Sequence, residues 1–138
     1  MKRRGFSLIE IMVVVALIMI ISAIALPNFL RSRRNANEGA AVATMRTLST
    51  ACESFMSTQN PNTYPASLAE LGAANPPYID SVLASGTKQG YNYAYSRTDA
   101  EHFTCTATPA SNTRGTRIFF VDESGVIRIN NAQGPPIE

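Results

Sequence analysis

Apolar residues follow three successive patterns along the chain. From Ile11 to Leu26, sixteen consecutive positions carry no charge and only Ser22 bears a hydroxyl. Counted from Phe6, the stretch is twenty-one residues, about 30 Å of helix and close to the hydrocarbon thickness of a bilayer. Within it sits one carboxylate, Glu10. From residue 35 to 58 the pattern becomes amphipathic: Ala41, Met45, Leu48, Cys52 and Phe55 recur at spacings of 4, 3, 4 and 3. Arg46, Thr47, Thr50, Glu53 and Ser54 occupy the opposite face. After Gly90 the period falls to two. Tyr91, Tyr93 and Tyr95 alternate with Asn92, Ala94 and Ser96, and Phe103, Cys105 and Ala107 alternate with threonines. Ile118–Val121 and Val126–Ile129 flank Asp122-Glu123-Ser124-Gly125, a hairpin turn by composition. The expected sheet has three or four antiparallel strands, one face laid on the amphipathic helix.

The punctuation between these patterns is informative. Pro27 lacks an amide and crowds the carbonyl of Ala23, so a helix kink is expected there, where the apolar run ends. Gly39 weakens the helix by about 1 kcal/mol relative to alanine. Gln59-Asn60-Pro61-Asn62 stops it. Residues 65–72 read as a short helix with Pro near its start and Gly just past its end, and 78–83 as a further turn. The chain therefore divides into a short basic start (1–5), an apolar helix (6–26), its amphipathic continuation (27–58) and a small head (59–138).

Net charge is +2, yet Lys2, Arg3 and Arg4 all precede the apolar run; the remainder holds 9 basic and 10 acidic residues. A near-neutral body lacks the clustered cations that sequence-specific nucleic-acid binding needs. Arg31, Arg33 and Arg34 mark the polar boundary beyond the apolar run, suited to lipid headgroups or solvent. No phosphate loop or metal-spaced His/Cys set is present, so no catalytic residue, metal or cofactor is expected, and the chain does not read as an enzyme. His102 is the only histidine and reads as a surface or strand-edge residue. Asp99 with Glu101, and Asp122 with Glu123, read as turn and loop acids rather than calcium ligands. Cys52 on the inward helix face and Cys105 on the apolar strand face suggest a disulfide pinning sheet to helix, worth about 4 kcal/mol in the chain-entropy model. Two buried free thiols are the alternative.

Residues 1–26 admit three readings. A cleaved secretory signal has a shorter apolar stretch and no place for Glu10 or Pro27. An ordinary anchor leaves Glu10 unexplained and has basic residues on both flanks. The third reading accounts for every unusual residue. Lys2-Arg3-Arg4-Gly5, then Phe6-Ser7-Leu8-Ile9-Glu10 and an apolar helix ending near Pro27, resembles the class III signal of type IV pilins and type II secretion pseudopilins.

That resemblance implies an α+β pilin fold, with a long N-terminal helix on a small antiparallel sheet. It implies cleavage by a prepilin peptidase between Gly5 and Phe6 and N-methylation of Phe6. It further implies insertion in the bacterial inner membrane, with the head in the periplasm, then assembly with copies of itself by a membrane platform and its motor ATPases. A charge inside a membrane helix costs roughly 2.5–3.5 kcal/mol. No cation lies downstream of Glu10 before Arg31, but cleavage creates an amine on Phe6. Pairing that amine with Glu10 of a neighbouring subunit would fix the register, because any other offset strands both charges. Major secretion pseudopilins typically carry an acidic, glycine-rich C-terminal loop after a Trp-containing segment; this chain has no Trp. The pilin reading is therefore preferred over a secretion pseudopilin, and a monomeric membrane-tethered binding module comes third. The familiar pilin disulfide closes a C-terminal loop, which Cys52 and Cys105 do not match.

Overall fold

The computed structural model describes residues 5–137, so Lys2, Arg3 and Arg4 of the expected leader lie outside the described residues. Helix α1 spans Leu8–Thr58. It continues through Pro27 as one unbroken helix. Asn28 there adds a side-chain bond to the carbonyl of Ile24, at 3.2 Å. Contacts divide the chain into an N-terminal unit through Arg33 and a head from Arg34 onward.

The head is built on the second half of α1. The expected stripe is the buried one: Ala41, Met45, Leu48 and Cys52 are fully buried and Phe55 nearly so. Helix α2 (Leu68–Ala73) begins two residues after Pro65–Ala66, with Ser67 as its N-cap accepting from the Glu70 amide and Glu70 reaching back to the amide of Ala66. Helix α3 (Ser81–Ala84) is a single turn capped by Asp80, whose carboxylate accepts from the Leu83 amide at 2.7 Å.

The sheet is an antiparallel meander in the order β1-β2-β3-β4-β5, made of Thr87–Lys88, Tyr91–Arg97, Phe103–Pro109, Phe119–Asp122 and Arg128–Ile129. It has five strands where the sequence pattern predicts three or four. The extra strand is β1, two residues long and too short to show any alternation. It exists because Gln89 and Gly90 both take positive φ (51° and 81°), the twist of a two-residue hairpin turn. Residues Tyr91, Tyr93, Phe103, Cys105, Ala107, Phe119 and Val121 point inward onto α1. Their aromatic rings interlock, with Tyr64 meeting Phe103 edge-on at 4.7 Å between centroids.

Beyond β3, the loop from Ser111 to Arg117 returns to the start of the head helix. Gly115 lies there against the ring of Tyr91, and a Cβ at that position would overlap the Tyr91 hydroxyl. That hydroxyl donates to the carbonyl of Arg117 at 3.0 Å. Gly115→Ala is therefore expected to displace a buried ring, break this bond and destabilise the head by about 1–3 kcal/mol. Thermal melting of the full chain in detergent checks it; an unchanged midpoint would show that the loop yields freely.

Candidate functional site

The N-terminal unit presents apolar side chains in every direction. Over an 18-residue window its mean hydropathy is 2.9, and none of that window is buried. Phe6 and Leu8 are each 79% exposed, and Ile21, Ile24 and Phe29 all exceed 60%. A surface of this kind requires lipid or other protein around it. Glu10 sits in the first turn of α1, exposed among these apolar neighbours. The carbonyl of Ser7 accepts from the amides of Glu10 and Ile11, at 3.1 and 3.4 Å, which places the helix start close behind Phe6. Among the described residues, no ion pair involves the Glu10 carboxylate. Gly5 and Phe6 precede the helix, exposed and outside any regular element.

Residues 1–26 match the family model of the prokaryotic N-terminal methylation motif. The chain is also 45% identical, over 56 residues, to the type IV major pilin protein PilA of Myxococcus xanthus (strain DK1622). Its N-terminal segment is type IV pilin-like. The aligned stretch covers 41% of this chain and 26% of the relative, so the chain spans about a quarter of the pilin that it matches. No solved structure matches it. The helix-on-sheet head is nonetheless the α+β arrangement that the pilin-like segment implies.

The head contains a second carboxylate on α1, Glu38, that the sequence pattern did not single out. It is 7% exposed. Its Oε1 accepts from the amide and the hydroxyl of Thr116, at 2.9 and 3.0 Å. Its Oε2 meets Nε of Arg117 at 2.9 Å. Next to it, Nδ2 of Asn37 donates to the carbonyl of Arg114 at 2.9 Å. These bonds latch the 111–117 loop to the helix. Burial alone would raise the Glu38 pKa, but the Thr116 bonds and the Arg117 charge outweigh it and hold the carboxyl below its ordinary 4.5. The signal was present in the helical stripe: one step of three residues back from Ala41 lands on Glu38.

Cys52 and Cys105 both enter the core as expected, and each stands there as a free thiol; the labelling experiment below tests the expected bond between them. Each is fully buried and packs as a small apolar side chain. Burial pushes both thiols up to about 12, which suppresses the thiolate at neutral pH. Above them, Tyr95 donates its hydroxyl to the carbonyl of Pro65 at 2.7 Å.

Asp99 and Asp122 serve local turns. Asp99 accepts from the Glu101 amide at 2.9 Å and pairs with Nδ1 of His102 at 2.8 Å, on an exposed loop. Asp122 accepts from the amide of Ser124 at 3.0 Å. Among the described residues no cluster of three or more potential metal ligands occurs.

Two measurements test the head. The latch stabilises the folded state fully above the ordinary carboxylate range, because the folded Glu38 pKa is lowered; that contribution is lost as pH falls through 4.5 and then the folded value. Glu38→Gln should cost about 1–2 kcal/mol at pH near 7, with the difference closing in acid. Melting curves of both proteins at neutral and acidic pH decide this, and a pH-independent gap would contradict it. For the cysteines, maleimide labelling of the folded chain should be slow, and unfolding without reductant should expose both thiols. Labelling that appears only after reduction would mean that they are bonded.

Proposed function

We propose that this chain is the structural subunit of a type IV pilus. It enters the inner membrane as a prepilin, with its N-terminus cytoplasmic and its head periplasmic. Prepilin peptidase cuts between Gly5 and Phe6, and the new Phe6 amine is methylated. An assembly platform and its motor ATPases then move the subunit from lipid into a homopolymer displayed at the cell surface, for adhesion, motility or DNA uptake. The observation that carries this reading is Glu10, an exposed carboxylate in the first helical turn of an otherwise apolar surface.

In a monomer such a surface has only lipid to cover it, and lipid offers Glu10 no counter-charge. In a bundle of these helices the same side chains cover one another, and the Phe6 amine of one subunit neutralises Glu10 of another. Both charges are then buried and paired, and a shift in axial offset separates them. This makes Glu10 a register device rather than an insertion defect. Pro27, which supplies no amide to the carbonyl of Ala23, is the point where the bundled part of the helix bends.

Glu10→Ala should leave the chain processed and membrane-inserted while reducing filament yield by at least about tenfold, since loss of one buried partner is worth several kcal/mol. Mass spectrometry of the mature N-terminus and quantification of sheared surface filaments check the two halves separately. N-methyl-Phe6 with normal filament yield would remove the assembly role of Glu10. A retained Met1 would remove the prepilin reading altogether. Short, retracted fibres in place of long pili would favour a secretion pseudopilus.

A further inference from the structure

The charged side chains of the head are sorted along α1. At the end where the head begins, Arg34 lies one helical turn before Glu38. The 111–117 loop brings Arg114 and Arg117 to the same end through the Asn37 and Glu38 bonds. Glu38 neutralises Arg117, which leaves an excess of guanidinium there. The side chain of Arg117 remains 56% exposed even so, and Arg114 is exposed.

The far end carries the opposite sign. Glu53 accepts from the Tyr64 hydroxyl at 2.6 Å, and the Tyr64 amide donates to Ala100 at 3.0 Å. This ties Glu53 to the loop that holds Asp99 and Glu101. Strand β4 ends at Asp122 opposite Thr104, so the turn with Glu123 stands beside the same loop. Glu53, Asp99, Glu101 and Glu123 are all exposed. Arg97, which donates to the Thr63 hydroxyl and the Tyr64 carbonyl, keeps its charge at this end, and His102 pairs with Asp99; the four acids outnumber these cations. From Arg34 to Glu53 the helix rises about 28 Å.

We propose that these two ends are complementary docking faces for a second copy of this chain: the arginine end, with Arg34 and Arg114, receives the acidic end, with Glu101 and Glu123, of a subunit about one head length further along. The faces are different patches at opposite ends of one head. Their contact is therefore heterologous and does not close on itself, so it propagates as an open filament. A like-charged meeting, as in a head-to-head dimer, is repelled. The proposal rests on the pilus reading, but it concerns the heads alone and is separable from the Glu10 contact.

Arg114 and Glu101 are exposed, and neither side chain makes any of the bonds that hold the 111–117 loop to the helix. Full-length Arg114→Glu and Glu101→Lys, each expressed with the assembly machinery, should lower sheared filament yield by roughly tenfold while the detergent-solubilised chains melt as the wild type does. The double swap restores the attraction with its polarity reversed and should return yield to within about twofold. The swap of Arg34→Glu with Glu123→Lys provides a second pair should either first variant fold poorly. Single variants with wild-type yield would overturn the proposal, as would a double swap no better than the singles. If the processed wild-type chain forms no filament at all, the pilus reading fails first and this docking with it.

Discussion

The inward stripe of α1, Ala41, Met45, Leu48, Cys52 and Phe55, is the surface on which the sheet is laid. A helix repeats every 3.6 residues and a strand every two, so each offers one continuous apolar face only when its sequence keeps its own period. Here both do, and Tyr91, Tyr93, Phe103, Cys105, Phe119 and Val121 supply the second face. The small helices α2 and α3 then have something to close over, through Leu68, Leu71 and Leu83. The loops inherit their positions from this contact. Without it, neither the 111–117 latch nor the Tyr64 bridge would have a fixed helix to reach.

Much of this was legible because it depends on periodicity. The inward tyrosines follow from spacing, while the end of α1 at Thr58 and the hairpin at Asp122–Gly125 follow from the turn-forming residues that interrupt it. Strand β1 was not legible, since two residues show no alternation and its existence depends on backbone twist at Gln89 and Gly90. Glu38 was missed for a different reason. A carboxylate on a buried stripe is read as the end of the stripe unless its partners are known, and Thr116 and Arg117 lie almost eighty residues away in sequence. The free state of Cys52 and Cys105 was one of two alternatives that burial alone leaves open.

Two carboxylates on one helix thus meet low-polarity surroundings in opposite ways. Glu38 has its donors supplied within the chain, by a loop that folds back to it. Glu10 lies in a unit whose apolar side chains remain uncovered. One carboxylate helps complete the head. The other fits the reading in which the N-terminal segment is completed by its neighbours.

The two margins of the sheet carry a last consequence. On one side β1 ends after two residues, with Lys88 held in an ion pair to Asp80. On the other, β5 is equally short, and the tail runs back along it, placing Pro136 opposite Arg128 and the Ile137 amide on the Ile127 carbonyl. Proline offers no backbone donor to an incoming strand, and short margins give little length to pair. Heads crowded side by side can therefore touch through side chains without zipping their backbones together. In the filament proposed above, that resistance to lateral fusion would keep each contact between heads reversible.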